Sequence, residues 1–216
     1  MFLTTAEADA IDAAVARVES RTGVQVVTAI VGKSDAYVEL PWKAFALGAS
    51  LAACAVVIAD ATSPEWITAR TALLHAVTIL GIAAACALLA VFVPPFGRLF
   101  LRKTRRDVEV RQYAESLFLK HEMFGTRRRT SVLVFISLFE RRIEVLPDVG
   151  LHERVSEADW RALVGRITPL LRRARTSDAL QEGLTALESL LVEKGCCATE
   201  AGPNELPNLP IEEAGA

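Results

Sequence analysis

Two long apolar runs constrain the possible folds of this chain more than any other feature of its sequence. The first run, Ala44–Ala59, contains no charged residue, and with its flanking residues it reaches about the 20 residues needed to cross a bilayer core. The second run, Ala72–Val93, is interrupted only by His75, and Pro94 and Pro95 end it because proline cannot continue a helix in the usual way.

We therefore predict a transmembrane helical hairpin over residues 42–95. Helices that are apolar on all faces are expected in lipid or inside large proteins, whereas the helices of a small soluble domain are apolar on one stripe. The chain has only 216 residues, of which 52% are hydrophobic, and its mean hydropathy is +0.32. The alternative is a pair of buried core helices in a soluble protein.

The distribution of basic residues predicts how the hairpin is oriented. Lysines and arginines near the ends of membrane spans are retained on the cytoplasmic side. The loop between the two runs carries Asp60, Glu65 and Arg70, whereas residues 98–106, after the second run, carry five basic residues. We predict that the loop lies outside and that both termini are cytoplasmic, which makes the chain a multi-pass protein of the cell (inner) membrane.

The ends of the apolar runs also carry residues typical of a membrane interface, where tryptophan, lysine and arginine are enriched. The predicted interface residues are Trp42, Lys43, Trp66, Arg98, Arg102 and Lys103. The lipid bilayer is thus the first predicted partner. Because topology and contact with anionic lipid explain the basic segment, and the net charge is -2, no nucleic-acid partner is predicted.

The sequence on either side of the hairpin alternates between helical and strand patterns. Thr4 and Glu7 form a capping box that begins a helix, and residues 24–31 are rich in β-branched residues. After the hairpin, residues 131–138 are apolar at nearly every position, which is typical of a strand covered on both faces, and residues 141–146 alternate. Two amphipathic helices follow, the first of which begins after Ser156.

These patterns predict an α/β fold: a three-layer α/β/α sandwich with a mixed sheet, interrupted by the inserted transmembrane hairpin. The first two strands should be parallel, joined by a right-handed crossover, and the third should pair antiparallel with the second. The predicted divisions are residues 1–41 and 96–195 for the two parts of the α/β domain, 42–95 for the hairpin, and 196–216 for a flexible acidic tail rich in proline.

The segment TRRRTSVLVFISLFERRIEVLPDVGLHERVSEADW, together with RTGVQVV at the end of the first helix, resembles the TPM domain. It is most similar to the bacterial branch of that family, in which a two-helix membrane hairpin splits the domain. The resemblance extends from about Leu3 to Leu191. It implies an accessory role at membrane protein complexes and, for some members of the family, acid phosphatase activity.

The resemblance also bears on metal binding. Secreted members carry acidic residues and glycines in loops that hold calcium. This sequence has no clear counterpart of the family's opening aspartate, and its segment PDVGL keeps only Asp148 and Gly150 of the later motif. Asp148 is therefore the candidate metal ligand, calcium is the metal that the resemblance implies, and no other cofactor is predicted.

A search for catalytic constellations finds no GxSxG elbow, no glycine-rich phosphate loop and no HExxH motif, and the histidines at 75, 121 and 152 are isolated in the sequence. The carboxyl ends of the parallel strands, near Ser34, Asp35 and Glu140, are the usual location of a site in such a sheet. Asp148 is predicted at the other end of the sheet, on the order of 20 Å from Glu140.

The function predicted from these observations is that of a membrane-anchored TPM-like domain acting as an accessory or interaction module for another membrane protein or complex. The alternative is a metal-dependent acid phosphatase with Asp148 or Asp35 in its site. Small residues of the first apolar run, including Gly48 and Ala52, could support helix packing.

Overall fold

The computed structural model of the chain describes residues 2–62, 68–173, 175–197 and 204–215. These residues form two compact units, Ala36–Arg105 and a second unit built from Met1–Asp35 and Arg106–Ala216. The elements in chain order are α1 (Thr5–Thr22), β1 (Gln25–Lys33), α2 (Glu39–Thr62), α3 (Ala69–Phe92), α4 (Pro94–Arg98), α5 (Lys103–Lys120), β2 (Ser131–Ser137), β3 (Arg142–Pro147), α6 (Glu157–Arg172), α7 (Thr176–Glu193) and β4 (Ile211–Gly215).

A four-stranded mixed sheet with the order β3-β2-β1-β4 forms the centre of the larger unit. The β1 strand pairs in parallel with β2, with Gln25 opposite Ser131, and β2 pairs antiparallel with β3, with Ser137 opposite Arg142. Both pairings confirm the prediction. All seven residues of β2 are buried, as its continuous apolar pattern indicated.

Helices cover both faces of the sheet, so the predicted three-layer α/β arrangement is confirmed. One face packs against α1, α6 and α7, whose buried residues include Val15, Ile167 and Leu187. The other face packs against α5 through Val110 and its neighbours. The alternation of side chains along β1 explains this division, because successive residues of a strand point to opposite faces.

The C-terminal segment corrects one expectation. Residues 196–216 were predicted to be a flexible tail, but Ile211–Gly215 forms the fourth strand, parallel to β1, with Ala29 opposite Ile211. A five-residue strand with two glutamates has little β-propensity of its own. Its main-chain groups are instead satisfied by the edge of β1, a partner about 180 residues earlier in the chain, so local periodicity carried no signal for it.

The smaller unit contains α2 and α3, each of which is long and apolar enough to cross a membrane. Their most apolar 18-residue windows have mean hydropathies of 2.0 and 2.3, and only 17% and 11% of those windows is buried. Large apolar side chains on both helices are exposed, among them Leu51, Ile58, Leu80 and Leu88. These two helices are therefore candidate membrane spans.

Small residues form the contact between α2 and α3. Gly48 and Ala52 of α2 and Ala83 of α3 are buried. A Cβ atom added at Gly48 would lie 2.8 Å from the Sγ of Cys86 and 3.2 Å from the Cα of Ala83, closer than such contacts are normally found. Close backbone approach through small residues is typical of helices packed in membranes.

Candidate functional site

At the carboxyl ends of β1 and β2, two of the three predicted residues, Ser34 and Glu140, form a hydrogen-bond network with Ser137. The Glu140 side chain is buried and accepts hydrogen bonds from the backbone N–H of Ser34, at 3.0 Å, and from the hydroxyl of Ser137. The Ser34 hydroxyl donates to the Ser137 hydroxyl at 2.9 Å. The network joins the end of β1 to the turn after β2, and its members satisfy one another.

Asp148, the predicted metal ligand, lies at the opposite end of β2. Its side chain is only 3% exposed and accepts two hydrogen bonds from Arg129, at Nε (2.9 Å) and Nη2 (3.0 Å). A third hydrogen bond comes from the backbone N–H of Val149, at 2.7 Å. Asp148 therefore caps a short 3₁₀ turn and orients an arginine.

The predicted carboxylates do not converge. Asp148 donates its own backbone N–H to Ser131 at the start of β2, whereas Glu140 bonds to Ser137 at its end. In the described residues, no group of three or more histidines, cysteines or carboxylates is positioned to hold a metal ion. The metal role of Asp148 and the phosphatase alternative stay predictions.

His75 is less isolated than its sequence position indicated, whereas the surroundings of His121 and His152 agree with the prediction. His75 Nδ1 lies 3.6 Å from a carboxylate oxygen of Asp60, across the two helices of the smaller unit. His152 lines a groove in the larger unit. His121 follows α5, and its Nε2 is buried without a hydrogen-bond partner among the described residues.

The residues predicted at a membrane interface are mostly exposed. Trp42 is 72% exposed near the start of α2, and Lys43 lies 3.8 Å from Glu39. Arg98 ends α4, and Arg102 and Lys103 are exposed where α5 begins. Trp66 lies outside the described residues.

A groove of about 740 Å³ runs along the outer edge of β3. All six residues of β3, Arg142–Pro147, line it, with Arg111 of α5 on one side and Trp160 and Val164 of α6 on the other. Because β3 is the last strand at this end of the sheet, no strand of the described residues neighbours the main-chain groups on its outer side. The groove therefore follows an open strand edge.

The rim of the groove carries charges of both signs. The Nε of Arg142 is buried and makes no hydrogen bond among the described residues, although it lies 3.6 Å from Asp107 and 3.8 Å from Glu144. Burial raises the pKa of Glu144, and the charge of Arg142 opposes that shift. Arg161 pairs with Glu157 at the α6 side of the rim. The groove thus combines an apolar wall with partly satisfied charges.

Sequence reasoning did not identify this groove. The helical periodicity around Trp160 indicated a helix that packs with an apolar face, which is correct, but not that this face borders an open edge. The alternation in residues 141–146 was the available signal, because a half-exposed strand at the end of a strand order is an edge strand. Which residues of α5 and α6 flank that edge depends on tertiary packing.

Comparison with known proteins bears on the segment that contains this groove. Residues 97–190 match the family model of the TPM domain. This segment of the chain is similar to the TPM domain. The TPM match includes α5, β2, β3 and α6, so every element that lines the groove lies within it. The match confirms the resemblance seen in the sequence.

A solved structure shows the same fold as this chain. The NMR structure of BA42 protein from the psychrophilic bacterium Bizionia argentinensis sp. nov. superposes with a TM-score of 0.59 and 14% sequence identity. The alignment covers 98% of this chain and 96% of that chain. At this identity the likeness concerns the fold alone. None of the curated proteins compared with the chain matches its sequence.

Proposed function

We propose that this chain is a membrane-anchored interaction module, whose TPM domain binds an extended segment of another membrane protein along the outer edge of β3. The observation that carries the proposal is the groove, which follows the whole length of that strand. Six strand residues span about 20 Å, enough to pair with a segment of similar length.

The main chain of the groove supports an extended occupant. An edge strand presents unpaired N–H and C=O groups at alternate residues, and the backbone of a second strand is the ligand that satisfies them. A folded helix or a small rigid molecule leaves most of these groups without partners. Pro147, at the end of β3, lacks an N–H and limits how far such pairing extends.

The side chains of the groove add selectivity to that pairing. Trp160 and Val164 provide an apolar wall against which alternate side chains of a bound strand could pack. Arg142 offers a buried donor that an acceptor on the occupant would satisfy. Arg111 and Arg161 on the rim are each paired with a glutamate of their own helix, Glu115 and Glu157, so the rim does not favour one sign of charge on the occupant.

The anchor in this proposal is the helix pair α2 and α3. Their exposed apolar surface is suited to lipid, and a shared membrane raises the encounter rate with another membrane protein. The basic residues after α3 favour a cytoplasmic TPM domain.

The orientation can be tested by thiol labelling. A membrane-impermeant maleimide should label Ser63→Cys on intact cells and the native Cys197 only after permeabilisation. The opposite pattern would contradict the orientation.

Site-specific photocrosslinking in native membranes tests the binding role. A benzophenone amino acid at His152, an exposed residue of the groove, should crosslink to one membrane protein. The same probe at Gln181, which is exposed on α7, should not form that product. Mass spectrometry of the adduct should map it to a contiguous segment of the partner that is extended when bound.

A matched pair of charge variants separates specific binding from chance proximity. Val164→Glu places a charge in the groove and should abolish the adduct, whereas Gln181→Glu adds the same charge elsewhere and should leave it intact. Equal unfolding midpoints would show that both variants keep the fold. Crosslinks to many abundant membrane proteins, unchanged by Val164→Glu, would refute the proposed function.

A further inference from the structure

The opposite edge of the sheet, along β1, is a second strand-binding surface, and in this structure the chain's own C-terminal strand occupies it. The β4 strand pairs with β1 from Ala29 to Lys33. The segment before it is also held, since the Gln25 side chain accepts hydrogen bonds from the backbone N–H groups of Glu205 (2.8 Å) and Leu206 (3.1 Å). The β4 strand is thus bound along the edge of β1 through both main-chain pairing and side-chain hydrogen bonds.

Specific side chains recognise this strand. The carboxylate of Glu213 accepts hydrogen bonds from the Tyr113 hydroxyl, at 2.7 Å, and from the Lys120 ammonium, at 2.6 Å, both on α5. The Lys120 and Tyr113 hydrogen bonds lower the pKa of Glu213. Ile211 packs against the apolar cluster between α5 and the sheet. The surface therefore selects an apolar residue followed two positions later by a glutamate.

The fit also depends on small residues on both strands. A Cβ atom at Gly32 of β1 would lie 2.6 Å from the carbonyl oxygen of Ala214. Gly215 has a φ of +85° and approaches the carbonyl of Lys33 so closely that only glycine fits. Most strands that lack a glycine at that position would clash with β1.

The resident strand lies at the rim of the sheet. Its five residues are half-buried or exposed, and besides the contacts of Glu213 and Ile211 the Glu212 carboxylate accepts a hydrogen bond from the backbone N–H of Phe2. Eleven residues separate the end of α7 at Glu193 from Glu205, the first residue held by Gln25, and such a connection spans about 40 Å when extended. That reach is sufficient for the strand to bind a neighbouring molecule.

We propose that β1 exchanges its strand between molecules, so that the C-terminal strand of a second copy of this chain occupies the site. Every copy carries a C-terminal segment that meets the requirements for Ile211, Glu213 and Gly215, which makes a second copy the occupant with matching chemistry. The exchange surface lies at the other end of the sheet from the β3 groove. It is therefore independent of the proposed function.

Disulfide trapping between full-length chains tests the exchange. With the four native cysteines replaced by alanine, one tagged chain carries Ala29→Cys and a second, of different size, carries Ile211→Cys, because these positions are partners in the β1–β4 register. After incubation together in detergent just below the unfolding temperature, oxidation should yield a covalent heterodimer.

Two further chains serve as controls for the trapping experiment. A single chain with both Ala29→Cys and Ile211→Cys should form an internal bridge, and failure to do so would refute the β1–β4 pairing on which exchange depends. A donor with Leu209→Cys, an exposed position outside β4, reports random collisions. An internal bridge without heterodimer, or equal heterodimer from the Leu209→Cys donor, would overturn strand exchange.

Discussion

Arg129 and Asp148 form a two-point ion pair in which the buried carboxylate accepts hydrogen bonds from Nε and Nη2 of the guanidinium, at 2.9 and 3.0 Å. Arg129 precedes β2 and Asp148 follows β3, so the pair closes the end of the antiparallel hairpin. A position that the family resemblance assigned to metal binding is therefore occupied by contacts with the chain itself.

Replacing Asp148 should destabilise the fold. Asp148→Ala removes two charged hydrogen bonds and the cap of the following turn, and we expect a loss of about 2 kcal/mol in the free energy of unfolding. Urea denaturation of the detergent-solubilised protein measures it. Asp178→Ala, which removes an exposed ion pair with Arg175, should cost less than about 0.5 kcal/mol. Equal midpoints for the two variants would contradict the structural role.

Calcium should leave the stability unchanged. The three hydrogen bonds to Asp148 occupy the oxygens that a metal ion would use, and a ligand that binds only the folded state raises its unfolding temperature. Melting curves in millimolar calcium and in a chelator should therefore superimpose. A rise in the melting temperature with calcium that disappears in Asp148→Ala would restore the metal site and the phosphatase alternative.

The helix pair makes a covalent test of its packing possible. An added Cβ at Gly48 lies 3.0 Å from the Cβ of Cys86, below the usual disulfide separation of about 3.8 Å, so Gly48→Cys should bridge to Cys86 in membranes after a small outward shift of the helices. With the other cysteines replaced, and after the membranes are dissolved and the protein is denatured in SDS, the bridge would protect both thiols from a maleimide that adds mass. Gly81→Cys, which faces open space, should stay fully reactive. Full reactivity of both variants would show that α2 and α3 do not pack in this way.

The contact between α5 and β4 should show an alkaline transition. Burial, reinforced by the hydrogen bond to Glu213, raises the pKa of Tyr113 from 10.0 to about 12. A raised pKa means that the stabilisation is complete below pH 10 and is lost as the pH increases towards 12. Absorbance at 295 nm should reveal this late ionisation, and Tyr113→Phe should remove it. Glu213→Gln should shift it part of the way back towards 10; no shift would exclude the contact.

The start of α6 should contribute stability that is lost at acidic pH. A hydrogen bond from Lys194, followed by those from Ser156, lowers the pKa of Asp159 from 3.8 to about 2. A lowered pKa means that the stabilisation is present above pH 4 and is lost as the pH falls towards 2. The difference in urea midpoint between wild type and Asp159→Asn should shrink over this range. The same substitution at exposed Asp9 provides the control, and a difference that is constant with pH would contradict the assignment.

The contacts that local sequence predicts well are those that a segment makes with its near neighbours or with its solvent. The runs around Leu51 and Leu80 predicted two apolar helices, because a side chain's preference for lipid or core is a property of the residue itself. The buried pattern of β2 and the alternation in β3 predicted their pairing, since a short connection leaves few alternatives. The capping box of Thr4 and Glu7 likewise began α1 where it was expected.

The features tied to function were decided by contacts between distant segments. Glu213 finds Tyr113 and Lys120 about 100 residues away, and no periodicity in an acidic, proline-rich segment indicates such a partner. Asp148 was correctly placed at the far end of the sheet from Glu140, yet its pairing with Arg129 required the two ends of a hairpin to meet. Predictions of a metal site from residue type alone cannot distinguish these environments.

What the sequence by itself determined was therefore the set of elements, the parallel and antiparallel pairings and the apolar helix pair. Only the tertiary structure decided that the tail completes the sheet and that α5 and α6 flank the open edge of β3. The physical reason is that burial patterns record which face of a segment avoids water, whereas an edge is satisfied by whichever backbone reaches it. Main-chain hydrogen bonding depends little on side-chain identity, so its partners are visible only once the chain is folded.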